Sequence, residues 1–186
     1  MANVSQLLDF IAEPESGGNY NAYYGNARNQ TTRFTDMTVG QVLDWQRRKS
    51  GPTPVGRYQF VRGTLEDQYA SAGLELDDRF DEEAQDKLAV HLMRRRGLDE
   101  YMQGGLSAEE FGNRLAKEWA AMPLLSGPGK GDSYYAGDGV HSRAADAGGV
   151  LRATAVAAAF QTDADGGGAR ALFPSRPLLS GRRLTC

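Results

Sequence analysis

Two capping boxes, Thr38-Val-Gly-Gln41 and Ser107-Ala-Glu-Glu110, mark helix starts in a chain with no long strand-like run. In each, the Thr or Ser hydroxyl can accept from the backbone N–H three residues on, while the Gln or Glu reaches back. Residues after such a box are committed to a helix, which makes the chain a mostly helical one. The Thr38 box opens a helix through Leu43, Trp45 and Arg48, broken by the Gly and two Pro between Ser50 and Pro54. The Ser107 box opens another, with Phe111, Leu115 and Trp119 on one face and Pro123 as its stop. Between them, Thr64 reads as the cap of a helix carrying Leu65 and Tyr69. Asp81, with Phe80 as an apolar staple, begins a longer helix through Ala84, Leu88 and Leu92. Three arginines and Gly97 close it, as the negative end of a helix dipole favours.

At the N-terminus, Val4, Leu7, Leu8 and Ile11 fall at helical spacing, with Asn3 and Gln6 as a capping pair. Pro14 disfavours helical geometry at Glu13, so this helix is expected to end or bend there. Ser16 to Asp36 is rich in Gly, Asn and Tyr. Its β-prone pieces, Tyr23-Tyr24 and Thr31 to Thr35, point to a small hairpin or ordered loop. The reading is therefore α+β, mostly α, with five or six helices and one short β-region. Leu124 to Val140 lacks periodicity over 17 residues, the mark of a functional loop. Residues 1–150 form the expected domain. Residues 151–186 form an Ala-, Gly- and Arg-rich tail, with a short helix from Val150 to Phe160 and disorder beyond.

Composition removes several classes of function. The single cysteine is Cys186, the last residue, which excludes an internal disulfide framework, a cysteine-rich zinc ribbon and an iron–sulfur site. The net charge is −3 over 186 residues. Five Arg against two Asp put +3 on the tail, leaving −6 on residues 1–150 and no basic face for nucleic acid. No apolar run reaches the ~20 residues of a membrane-spanning helix, and MANVSQLLDFIAE is not a secretory signal. The expectation is a monomer made in the cytoplasm, with neither membrane insertion nor nucleic acid among its partners.

The two histidines, His91 and His141, are too few for a zinc amidase unless Cys186 joins them from the tail. His91 lies mid-helix among apolar neighbours and reads as structural. His141-Ser142 is no triad. Asp163-Ala-Asp165-Gly166 starts like a calcium loop but has no Glu at its twelfth position. No metal or cofactor is expected. What remains is a carboxyl group: Glu13 or Glu15, at the end of the first helix where an aromatic, glycine-rich stretch begins. Partial desolvation there favours the neutral form, as a general acid requires. Tyr20, Tyr23, Tyr24, Tyr58, Trp119, Tyr134 and Tyr135 lie in or beside the irregular segments. With Asn, Gln and Arg donors, such rings suit a sugar polymer, although tyrosines also fill cores.

Four blocks occur in one order: Leu8-Asp-Phe-Ile-Ala-Glu-Pro-Glu15-Ser16-Gly-Gly, Phe34-Thr-Asp36, Gly56-Arg-Tyr-Gln59 and Glu118-Trp-Ala-Ala-Met-Pro123. Together, over about residues 5–150, they make the chain resemble the phage lambda endolysin family of the lysozyme-like superfamily. Pro14 and the tail depart from the family pattern. The resemblance implies a lysozyme-like fold with a cleft between two lobes, and the peptidoglycan glycan strand as substrate. It places Glu15, rather than Glu13, as the catalytic acid/base. Glu15-Ser16 also resembles the Glu-Ser of soluble lytic transglycosylases, whose Gly-Leu-Met-Gln corresponds to Gly56-Arg57-Tyr58-Gln59.

The reaction so implied cleaves the MurNAc–GlcNAc β-1,4 bond and leaves 1,6-anhydro-muramic ends, using one Glu. The alternatives are a hydrolytic muramidase pairing Glu15 with Asp36 (Asp44 being less suited on its helix), or a non-catalytic wall-binding or virion module. Asp36 is structural or substrate-facing in the transglycosylase reading. Gln59 and Tyr58 bind sugar or orient Glu15. Arg57 does likewise or forms an internal salt bridge, and Ser16, Trp119, Tyr134 and Tyr135 complete the supporting set. Action on the wall follows release from the cell or delivery in a virion.

Overall fold

The computed structural model describes residues 4–24, 26–51 and 53–136. Among the described residues six helices follow one another: α1 (Val4–Ser16), α2 (Val39–Arg47), α3 (Arg62–Gln68), α4 (Glu82–Arg95), α5 (Leu98–Met102) and α6 (Ala108–Leu115). A 3₁₀ turn, Phe34–Asp36, precedes α2. Among the described residues, β-structure consists of isolated bridges, as the absence of any long alternating run predicts. The chain is mostly helical with little strand.

The helix starts follow local chemistry. Thr38 and Ser107 make their boxes in full, each accepting from the N–H three residues on while Gln41 and Glu110 reach back. Asp81 caps α4 by accepting from Ala84 N–H, with Phe80 fully buried behind it. Gly97, at φ 101°, ends the run of arginines. It then leads directly into α5, a five-residue helix with no side-chain cap that periodicity did not reveal.

Three expectations need correction. Of the end or bend expected at Glu13, the end does not occur: α1 runs through Pro14 to Ser16. Proline takes its own N–H out of the ladder and crowds the carbonyl one turn back, but donors after it are intact: Gly17 N–H reaches Glu13 O at 3.0 Å, and the Ser16 hydroxyl reaches Ala12 O at 3.3 Å. Gly17 and Gly18, at φ 63° and 80°, then turn the chain away. Thr64 lies inside α3, whose N-cap is Val61 without a side-chain bond, because α3 emerges straight from a hairpin. α6 stops at Leu115, well before Pro123. Its last turns relax into Glu118 N–H and Trp119 N–H both bonding Leu115 O, which still brings Trp119 into the core.

One apolar cluster unites the elements. α1 supplies Leu7, Leu8 and Ile11, α2 Val42 and Leu43, α3 Leu65, α4 Leu88 and Leu92, and α6 Phe111 and Leu115. α4 is the pivot, packing on both α1 and α5, while α2 packs on α3 and α5 on α6. His91 is half-buried on α4 with Nε2 3.1 Å from Gln68 Oε1. Burial, then Arg95 and Arg94, lower its pKa, so it is a neutral structural residue.

The β-region is a knot of backbone bonds rather than a sheet. Val55 and Phe60 exchange both hydrogen bonds (3.1 and 2.9 Å) across a turn made of Gly56-Arg57-Tyr58-Gln59. A third piece joins beside it: Gly56 N–H donates to Ala22 O and Tyr24 N–H to Pro54 O. Tyr23 takes part, as its β-propensity predicts, but Thr31 to Thr35 does not. Asn29, buried there, uses its side-chain oxygen to accept from Thr31 and Thr32 N–H and so curls the segment toward the 3₁₀ turn. The expected capping pair at Asn3, together with His141, Ser142 and residues 150–186, lies outside the described residues, as does the expected domain boundary.

Candidate active site

Glu15 extends the buried stripe of α1, standing four residues after Ile11 and seven after Leu8. That register turns its side chain inward, half-buried, whereas Glu13 points outward and is exposed. Position on the helix thus separates two carboxyls that the sequence left as alternatives.

Three hydrogen bonds then close a circuit through Glu15. The Ser16 hydroxyl donates to Arg57 O at 2.7 Å, fastening the end of α1 to the Gly56–Gln59 turn. Trp119 Nε1 donates to Tyr58 O, the next carbonyl of that turn, at 3.2 Å. Two residues beyond Trp119, Ala121 N–H donates to Glu15 Oε1 at 3.2 Å. Helix end, turn and the 119–121 segment therefore hold one another, with the Glu15 carboxyl at their meeting point. Ser133 Oγ donates to Ala120 O at 2.8 Å and ties the following loop to the same segment.

The turn itself depends on backbone geometry. Gly56 has φ 80° and Gln59 φ 49°, the one described non-glycine residue with positive φ. A Cβ at Gly56 would lie 2.3 Å from Gln85 Oε1, so any side chain there must displace Gln85. Gln85, fully buried on α4, accepts from Arg57 N–H at 2.9 Å and donates to Tyr20 O and Phe80 O. Gln59 Nε2 bonds Gly56 O across the turn at 2.8 Å.

The remaining expected site residues divide sharply. Arg57 is an internal bridge: its guanidinium bonds Tyr20 OH at 2.7 Å and Asp9, and lies 3.7 Å from Asp86. Tyr58 has no exposure and Trp119 3%, so both support the site from the core and present no face to a sugar. Tyr23 likewise packs edge-on against Phe34 and Trp45. Tyr24 and Tyr134 are exposed, at 69% and 47%. Tyr135 turns its hydroxyl to Lys117 O at 2.8 Å. Asp36 lies on the exposed surface in ion pairs with Arg33 (2.8 Å) and Arg79 (3.0 Å), and Asp44 pairs with Arg47.

Sequence reasoning missed Ala121, Gln85, Asp86 and Asp9. A backbone N–H has no side-chain signature, and the other three act across 28 to 66 residues of chain. An open depression of about 270 Å³ lies along Tyr58, Gln59, Val61, Thr64, Glu118 and Trp119. Its one carboxylate, Glu118, is committed to Arg96 at 2.7 Å and is not available as an acid. Among the described residues, no group of three or more His, Cys, Asp or Glu is placed to hold a metal ion.

The circuit makes a stability prediction. Trp119→Phe keeps an aromatic ring in the core but trims its volume, and it leaves the buried Tyr58 carbonyl without its indole donor. An unsatisfied buried acceptor costs roughly 1–3 kcal/mol, and the void left by the smaller ring adds to it, so the urea midpoint should fall accordingly.

A family model described as Endolysin matches residues 5–151 of the chain. No curated protein and no solved structure matches it.

Proposed function

The chain belongs to the endolysin family, phage enzymes that degrade the bacterial cell wall, and from that premise we propose that it is a lytic transglycosylase with Glu15 as its one catalytic residue. The reading rests on the carboxyl of Glu15, half-buried at the junction of α1, the Gly56–Gln59 turn and Ala121. The proposed substrate is the alternating amino-sugar strand of peptidoglycan, lying in a lysozyme-like cleft beside the β-region. The protein acts as a monomer on the wall, after release from the host cell or from a virion.

The chemistry needs one carboxyl group in two protonation states. Protonated Glu15 gives its proton to the glycosidic oxygen as the bond from the muramic C1 breaks, and positive charge grows on that ring. A partly desolvated carboxyl suits this donation, as for the lysozyme glutamate whose apolar pocket keeps it protonated. The muramic 6-hydroxyl oxygen then bonds to C1, and its proton passes to the Glu15 carboxylate. Proton and charge balance, no water is consumed, and the acid is restored.

A hydrolase of this type would pair the acid with a second carboxylate across the bond. Asp36, the leading partner in sequence, is instead occupied by Arg33 and Arg79, which favours the single-carboxyl route. Mass spectrometry of digested wall tests the choice. The expected products are muramic ends one water lighter than reducing sugars. Reducing ends would establish hydrolysis, and release of no fragments would leave a non-catalytic wall-binding module.

A further inference from the structure

Behind the Gly56–Gln59 turn, on α4, stands a carboxylate that the proposed reaction does not use. Asp86 Oδ1 accepts from Tyr58 OH at 2.6 Å and from Tyr20 OH at 2.9 Å, and lies 3.7 Å from Arg57 Nη1. Its side chain is 27% exposed, and that of Arg57 is 14% exposed. Tyr58 and Arg57 belong to the turn, while Tyr20 follows the glycines that end α1. One carboxylate therefore grips both segments that flank Glu15-Ser16. Its neighbour Gln85 holds the same two segments by their backbones, bonding Arg57 N–H and Tyr20 O. Desolvation by burial, reinforced by Asp86, pushes the Tyr20 pKa up to about 12 and raises that of Tyr58 as well. Both hydroxyls thus remain donors throughout the pH range in which a wall enzyme works.

We propose that Asp86 is a positioning residue: by fixing Tyr58 and Tyr20 it sets the turn, and through Trp119 the bond from Ala121 N–H to the Glu15 carboxyl. The path is continuous. Tyr58 receives the pull of Asp86 at its hydroxyl and passes it to Trp119 at its carbonyl. Arg57, held by Asp86, Tyr20 and Asp9, presents its carbonyl to Ser16. α4 is the longest described helix and the pivot of the core, so it is a rigid frame for such an anchor. Asp86 is bonded to Tyr58 and Tyr20 and faces Arg57, and in this proposal it acts on Glu15 through them. Its loss should therefore disturb the rate of the chemical step more than the binding of substrate.

This inference rests on the reading of Glu15 as the acid, and the test separates the two. Asp86→Asn keeps the shape but removes the charge that faces Arg57 and weakens acceptance from the two tyrosines. On soluble, uncross-linked glycan strands, at a temperature where circular dichroism shows the variant folded, kcat should fall about tenfold with KM within about twofold. In parallel, the Ala121 amide resonance should follow Glu15 ionisation by NMR in the parent protein and lose most of that response in the variant. Tyr58→Phe keeps the buried ring, drops only the hydroxyl, and should move both readouts the same way to a smaller extent. It takes the place of Asp86→Asn should the latter not fold. Either readout left unchanged in a folded variant overturns the positioning role. If the parent protein releases no sugar ends, the proposed function fails, and the Ala121 resonance alone decides the role of Asp86.

Discussion

Glu15→Gln is expected to slow glycan cleavage by roughly three orders of magnitude while the protein stays folded. A positioned general acid contributes about 10²–10⁴ in rate, and the amide cannot give up a carboxyl proton. It can keep the structural contact, since its oxygen still accepts from Ala121 N–H in the place of Glu15 Oε1. The Ser16–Arg57 and Trp119–Tyr58 bonds of the circuit do not involve the altered group. Thermal unfolding should therefore shift little, and the loss should lie in turnover. The measurement is the release rate of new muramic ends from purified wall, beside a melting curve for each protein. Retention of more than about a tenth of the parent rate by a folded variant would assign the proton to another group. Glu13→Gln is the natural comparison. That side chain is exposed on the opposite face of α1 and its loss should leave the rate within about twofold.

What could be read from the amino-acid sequence, and what could not, follows the range of the interactions. Helix starts at Thr38, Asp81 and Ser107 depend on atoms three residues apart, so they were legible and correctly located. The inward face of α1 was equally legible, and with it the case for Glu15 once the helix is allowed to reach Ser16. That allowance was the difficulty. Pro14 carries a strong local signal to stop, and it is overridden by bonds from Gly17, and from Ser16 to a turn 41 residues away. Thr64 shows the converse error, a good capping residue placed one turn too late for the helix that the hairpin launches. In the site, long-range polar contacts decide the roles. Nothing near Arg57 in sequence announces Asp9 or Asp86, so its internal pairing could only be offered as an alternative to sugar binding. For Tyr58 and Trp119 the sequence left binding and supporting roles open, and their burial favours the supporting one, with polar ends that hold the turn.

The same turn carries the largest expected stability effect, at Gly56. Two penalties meet there and can be separated experimentally. At φ 80° a Cβ crowds the following carbonyl, at a cost of about 1–2 kcal/mol. The methyl of alanine would also lie 2.3 Å from Gln85 Oε1 and 3.3 Å from the Phe80 ring. Gln85 is fully buried and cannot swing away without giving up bonds to Arg57 N–H, Tyr20 O and Phe80 O. Exposing even one such buried group without a partner costs a further ~1–3 kcal/mol. Gly56→Ala should thus destabilise by about 2–5 kcal/mol, a large part of the ~5–15 kcal/mol that holds an ordinary domain together. Gly51 supplies the control: its φ is 92° but a Cβ there would meet nothing within 4 Å. Gly51→Ala should therefore cost only the backbone penalty of about 1–2 kcal/mol. Urea unfolding of the two variants measures the difference directly. Equal losses would mean that Gln85 yields freely, and that the turn beside Glu15 is not clamped by α4.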